Sequence, residues 1–146
     1  MAITTNAIAN SFKKELLEEK HDLTQTSGDQ FKIALYTNSA TLGKSTTSFT
    51  TDHQVSNTGQ YTSGGGKLAK GSQQTSVASS VAIVDFADRS FTGVTLTARG
   101  ALIYNTSNSN TAVAVLDFGG DKTATAGTFT IQFPAFTTSA AILRIS

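Results

Sequence analysis

A helical spacing of apolar residues occurs at one place in this chain of 146 residues, and that confines α-structure to the start. Within residues 6–23, Ile8, Phe12 and Leu16 fall at four-residue steps, with Lys13, Lys14, Glu18 and Lys20 elsewhere on the wheel. Thr4, Thr5 or Asn6 can cap the first turn. The spacing predicts one N-terminal amphipathic α-helix over about 6–23, whose apolar stripe lies on a sheet or on another subunit. Of the 11 basic and 10 acidic residues, seven lie between Lys13 and Asp22. The other fourteen are spread thinly over the remainder of the chain.

Beyond the helix the pattern changes to alternation. Phe31, Ile33 and Leu35 take one face of a strand over 31–37, with Lys32, Ala34 and Tyr36 on the other. From 38 to about 70 runs a Thr/Ser/Gly-rich excursion with few apolar anchors (Leu42, Phe49, Val55, Tyr61, Leu68) and the triple Gly64-Gly65-Gly66. An excursion of that length is either functional or held by a neighbour. From 77 to 146 strands come at short intervals: 81–86, 94–98, 101–104, 112–118, 128–133 and 141–145. Asp88-Arg89-Ser90, residues 105–110, Gly119-Gly120-Asp121 and Thr125-Ala126-Gly127 supply turn chemistry between them. Gly100 marks a bulge or break, and Pro134 ends its strand or sits at an edge. The expected inward set is Val81, Ile83, Leu96, Ile103, Val113, Val115, Phe129, Ile131, Phe133, Leu143 and Ile145. With 24 Thr, 16 Ser, 12 Gly and a single Pro, this predicts a mainly β single domain over 1–146. Its expected form is an antiparallel β-sandwich, jelly-roll or immunoglobulin-like, with a strand-rich core at 31–37 and 77–146.

Charge and composition remove several classes of function. A net charge of +1 lacks the basic field that holds nucleic acid, and zero cysteines leave no disulfide, thiolate metal site or thiol nucleophile. The longest apolar run, residues 112–116, is far short of the roughly 20 residues a membrane helix needs. The start lacks the basic flank and apolar stretch of a signal peptide, so synthesis and folding in a cytoplasm are expected. His21 and His53 have no ligand-spaced partners and read as surface or packing histidines. Asp85, Asp88, Asp117 and Asp121 either cap turns or meet at one end of the sandwich and bind calcium, capping being preferred. The segment 81–88 echoes 113–120, Val-Ala-Ile-Val-Asp-Phe against Val-Ala-Val-Leu-Asp-Phe, and reads as two strands ending in a capped turn. Gly64 to Gly66 read as a turn in preference to an anion cradle, because no strand-then-helix context surrounds them. Arg99 is the oddest charge: it pairs with Asp85 or Asp117 in the sheet or reaches across a subunit boundary, the second being the more informative idea. Tyr61 and Tyr104 are candidates for a sugar-stacking platform, or for core or interface. No catalytic constellation emerges, so no enzyme activity and no cofactor are expected.

Asn10-Ser-Phe-Lys-Lys-Glu-Leu-Leu17, then Phe31-Lys-Ile-Ala-Leu-Tyr-Thr37 with Ser39-Ala-Thr-Leu42, and the ending from Arg99-Gly-Ala-Leu-Ile-Tyr-Asn105 to Phe129-Thr-Ile-Gln-Phe-Pro134 resemble a group of small virion structural proteins of tailed bacteriophages. The resemblance spans nearly the whole chain and implies a component of the phage particle, made in the host cytoplasm and located in the virion. It brings no catalytic residues. The leading expectation is a multicopy capsid decoration or cement subunit stabilising the head. A tail, baseplate or fibre-attachment component and a carbohydrate-binding adhesin contacting the host surface are the alternatives. The expected partners are copies of itself, as a homo-oligomer, and other virion proteins, the major capsid protein or tail proteins, with no direct nucleic acid and no membrane. Ile8, Phe12, Leu16, Arg99 and Tyr61 are the candidate subunit-interface residues.

Overall fold

The computed structural model describes residues 3–69, 75–78, 80–137 and 139–146. The chain is mainly β, with antiparallel sheets and one short N-terminal helix. In chain order the elements are β1 (Ala7–Ile8), α1 (Asn10–Leu17), β2 (Phe31–Tyr36), β3 (Gly66–Lys67), β4 (Thr75–Ala78), β5 (Val81–Val84), β6 (Arg89–Asn105), β7 (Thr111–Ile131) and β8 (Leu143–Ile145). Five strands form a large sheet in the order β1-β7-β6-β2-β3, and three form a small sheet in the order β4-β5-β8.

The helix is shorter than the periodicity over 6–23 predicts. At its start Ala7 and Ile8 are taken by the large sheet, opposite Val115 and Ala114, so Ile8 is a strand residue and not part of a helical stripe. At its end Glu19 adopts φ 57, and the Glu18 and Lys20 N–H groups both return to the Glu15 carbonyl. A left-handed residue just past the last turn is a common helix stop.

The hairpin of β6 and β7 dominates the large sheet. Its turn is where the sequence places it: Asn105 Oδ1 accepts the Ser107 and Asn108 N–H groups, and Ser109 and Asn110 take positive φ. The other expected turns within 94–131 do not reverse the chain. Ala98 pairs with Lys122 and Gly100 with Asp117, so Arg99 alone on β6 stands against Phe118, Gly119, Gly120 and Asp121 on β7. A second bulge puts the extra residue on β7 at Ala126 (φ 46), and a third puts it on β6 at Gly93 (φ 63). Bulges bend a strand and increase its twist. Here the bend is large: the rings of Phe118 and Phe129, both on β7, lie 5.9 Å apart, whereas a straight strand would separate these positions by roughly 35 Å. The glycines and short polar residues do supply the unusual dihedrals expected of them. They use them to curl a hairpin.

Between Gly100 and Asn105 every β6 residue is buried, so the middle of the large sheet has no exposed face. Tyr104 is covered by Phe49, stacked at 4.7 Å, while Asn105 meets His21 and Asp29. Most of the expected inward set is buried, but Val81 and Phe133 are only half-buried and Ile145 is 60% exposed. Ile145 stands opposite Ala82, which stands opposite Val77, and this row of the small sheet lies exposed next to the buried Val84–Leu143 pair.

The 38–70 excursion, whose last residue Lys70 lies outside the described residues, is held by its own chain. Val55 N–H donates to the Leu35 carbonyl at 2.8 Å, Phe49 N–H to Asn110 and Ala112 N–H to Thr47. Leu42, Val55, Tyr61 and Leu68 are buried. Gly65 lets the segment approach β2: it has φ 81, and a Cβ there would lie 1.8 Å from the Ile33 carbonyl oxygen. Gly65→Ala is therefore expected to cost at least about 1 kcal/mol in denaturant unfolding, whereas Gly43→Ala, with nothing within 4 Å, stays within about 0.5 kcal/mol.

Candidate functional site

The curl of β7 creates a concavity. Ala114 to Phe118 form one wall and Phe129 to Pro134 the other, with Ala7 and Ile8 of β1 closing one side, in a groove of about 830 Å³. Its lining is largely apolar, with Leu116, Phe118, Phe129, Ile131 and Phe133 the large contributors. A second hollow of about 830 Å³, lined by residues 4–8, 41–47, Lys13 and Thr50, lies on the other side of the same strand. Asn6, Ala7 and Ile8 border both, so β1 is a partition two residues long.

Asp117 and Asn6, at the edge of the groove, are committed to structure. Arg99 Nη1 lies 2.5 Å from Asp117 Oδ1, which also accepts the Gly119 N–H at 2.9 Å, and Asp117 N–H donates to Asn6 Oδ1 at 2.6 Å. The pair is mostly buried at the root of the large bulge, where it ties β6, β7 and the N-terminal segment together. Arg99 thus pairs within the chain with Asp117, one of the two partners the sequence names for it.

The other chemical candidates resolve similarly. Both ring nitrogens of His21 are occupied: Nε2 meets Glu15 Oε2 at 2.7 Å and Nδ1 meets Asn105 Nδ2 at 3.0 Å. Because Asn105 Oδ1 already accepts two backbone N–H groups, its amide nitrogen must face His21, which makes Nδ1 the acceptor. Phe12 packs on the same imidazole at 4.7 Å. His53 lies exposed in the excursion, its carbonyl accepting the Thr37 N–H. The four aspartates do not meet. Asp117 joins Arg99, Asp121 accepts from Asn38 Nδ2 at 3.1 Å, and Asp85 and Asp88 stand together between the two sheets. Among the described residues no group of three or more His, Cys, Asp or Glu is placed to hold a metal ion. The Gly64 and Gly65 N–H groups donate to Gln54 Oε1 and the Thr62 carbonyl, so this turn presents no free pair of donors to an anion. Among the described residues no helix is long and apolar enough to cross a membrane.

The candidate interface residues do not form one surface. Ile8 borders the groove and Leu16 is half-buried, while Phe12 and Tyr61 are core residues, 2% and 1% exposed. Tyr104, at 3%, is no more available for stacking on a sugar. The three tyrosines bind the excursion to the sheet instead. Tyr36 Oη donates to the Thr50 carbonyl at 2.6 Å, Tyr104 Oη to the Gly64 carbonyl at 2.5 Å, and Tyr61 Oη accepts the Leu35 N–H at 2.8 Å.

A surface that sequence reasoning did not single out lies on the exposed side of the curled hairpin. Ser90, Thr92, Thr95 and Thr97 of β6 and Thr123, Thr125, Thr128 and Thr130 of β7 are all exposed. Two cross-strand pairs join through their hydroxyls, Thr97–Thr123 at 2.9 Å and Ser90–Thr130 at 2.8 Å. Alternating Thr along 92–97 and 123–130 is the signal in the sequence, but only the register brings the hydroxyls together.

Comparison with family models, with curated proteins and with solved structures gives no match. Burial pushes the Tyr61 hydroxyl up to about 12, against the pull of its Leu35 backbone bond, and burial raises Tyr36 and Tyr104 as well. An unfolded tyrosine titrates near 10, so the protonated form is favoured by folding. The associated stability is complete below about pH 10 and is lost as pH rises toward about 12. Tyr61→Phe is expected to weaken that alkaline loss, while costing about 1–3 kcal/mol at neutral pH because the Leu35 N–H is left buried without its acceptor. Guanidinium unfolding at pH 7 and pH 11 measures both effects.

Proposed function

We propose that this protein is a non-enzymatic structural subunit of a tailed-phage virion, acting as a multicopy capsid decoration or cement subunit that stabilises the head. The observation that carries this reading is the hydroxyl-rich exposed face of the β6–β7 hairpin, which presents Ser90, Thr92, Thr95, Thr97, Thr123, Thr125, Thr128 and Thr130 from two stretches, 90–98 and 123–131, that contain no charged residue. Ordinary soluble surfaces are interspersed with charges of both signs, whereas the centres of protein interfaces are depleted in them. Short β-branched hydroxyl side chains can pack on a neighbour while losing little rotamer freedom. The sequence resemblance to small virion proteins points the same way. The partners are copies of this chain and the major capsid protein, without direct contact to nucleic acid or membrane and without a cofactor.

We read the layering as a sandwich of jelly-roll or immunoglobulin-like kind. Phe86, just past β5, packs 5.7 Å from Phe31 of the large sheet and 6.0 Å from Phe133, which supports the small sheet lying over one face of the large one. A tail, baseplate or fibre-attachment subunit would use the same hairpin face in a ring. The adhesin reading loses its proposed platform, because Tyr61 and Tyr104 are buried.

Quantitative peptide mass spectrometry of purified virions against the major capsid protein tests the proposal. Near parity, or a simple fraction on the order of hundreds of copies, is the result expected of a symmetric head subunit. A few copies to a few tens, on the order of one tail ring, would move it to the tail, and absence would overturn the virion reading. The double substitution Thr97→Glu and Thr123→Glu is expected to leave the fold intact but to reduce occupancy on particles at least about tenfold, since unpaired charge is costly in an interface core.

A further inference from the structure

The connection between the two sheets contains a carboxyl group whose surroundings are incomplete. β5 ends at Val84, β6 begins at Arg89, and the four residues between them carry the small sheet's short covalent link to the β6–β7 hairpin. Phe86 is wedged between Phe31 and Phe133, Ala87 N–H donates to the Ala69 carbonyl, and Asp88 Oδ1 accepts the Phe133 N–H at 2.7 Å. Asp85 lies at the inner end of this joint and is 5% exposed. Its Oδ1 accepts the Phe86 N–H at 2.9 Å, but its Oδ2, fully buried, has no hydrogen-bond partner among the described residues.

A buried carboxylate oxygen with no donor is costly, and the same oxygen carrying a proton is less so, because the group it belongs to is then uncharged. Among the described residues the charge that acts on Asp85 is Asp88, which is of the same sign. Of the cations on neighbouring strands, Arg89 lies over the Phe91 ring, 4.9 Å from its centroid, and against Gly66, its own Nε buried without a hydrogen-bond partner among the described residues, and Arg144 of β8 is in register with Ile83. The sequence echo between 81–86 and 113–118 separates here: Asp117 has Arg99 beside it, and Asp85 has no such partner among the described residues.

We propose that Asp85 is a proton-operated latch between the two sheets: with its proton it seats the small sheet against the hairpin, and without it the small sheet opens while the large sheet stays folded. Burial raises Asp85 above the ordinary carboxylate range, the Phe86 N–H opposes this, and Asp88 adds to it. Folding therefore favours the protonated form. The stability contributed is complete below the unfolded value near 3.9 and is lost as pH rises through the raised folded value. Because, among the described side chains, β5 and β8 meet the core through Val84 and Leu143, and β4 is joined to β5 by its ladder, the loss is local to the small sheet.

Hydrogen exchange read by mass spectrometry on the full chain, corrected for intrinsic rates, tests the latch between pH 4 and pH 7.5. Peptides covering β4, β5 and β8 are expected to lose protection on the order of tenfold as pH rises, while β2 and the 100–117 part of the hairpin do not change. Asp85→Asn keeps the shape without the charge and should hold its low-pH protection at pH 7.5. Asp88→Asn removes the like charge and so lowers the folded value of Asp85, so the loss should be smaller and level off at lower pH, and this variant keeps the test open should Asp85→Asn fail to fold. Protection that is independent of pH, or that falls equally in both sheets, overturns the proposal. So does recovery of the native chain at pH 7.5 on adding calcium chloride, absent in Asp85→Asn, since that would make the orphan oxygen a cation ligand.

Discussion

Along Gly100 to Asn105 the β6 backbone has side chains buried on both faces, and the surrounding segments are arranged to cover it. Strands covered on both sides belong to the interior of layered folds, where two independent elements supply the cover. Among the described residues there is one eight-residue helix, and the cover comes from irregular segments. The excursion covers Tyr104 with Phe49, while the segment after the helix brings His21 and Asp29 to Asn105. An irregular cover must satisfy its own backbone groups, and here the sheet provides many of the partners: Leu35 and Asn110 accept from the excursion, and Ala112 donates to it. The tyrosine hydroxyls extend the same arrangement, which is why rings in a polar stretch are core residues.

Much of the local structure was legible in the sequence. The alternation of Phe31, Ile33 and Leu35 marks β2, and the Asn- and Ser-rich run after Tyr104 marks the reversal between β6 and β7. Residues 119–121 and 125–127 were legible as sites of unusual backbone dihedrals but not in their consequence. A reversal and a bulge ask the same of glycine and of short polar side chains, and only the distant pairing of Ala98 with Lys122 decides between them. The ends of the helix were lost for a related reason. Ile8 continues the four-residue spacing perfectly well, but Ala114 on β7 offers it a ladder partner.

The groove was beyond sequence reasoning because it depends on that curl. Phe118 and Phe129 read as members of separate strands around a turn, and their rings meet because one strand bends. Arg99 shows the opposite case. Its partner Asp117 was one of two named from the sequence, yet a charge in an apolar strand also suggested a neighbouring subunit, and the choice rests on a four-against-one bulge that no local pattern announces.

The pairing of β1 with β7 sets an order of events in time. Ile3 packs against Gly100, and Ala7 and Ile8 find their ladder partners at Val115 and Ala114, so β1 has no strand to pair with until the far side of the hairpin exists. A nascent chain therefore carries Ala7 and Ile8 without these ladder partners until residues 114 and 115 have been made, and closing so long a loop is slow compared with forming the hairpin itself. The partition between the two hollows is then among the late pieces to be placed, and until it arrives the apolar side of β7 is open to whatever else is nearby, including the β7 of another unfinished copy.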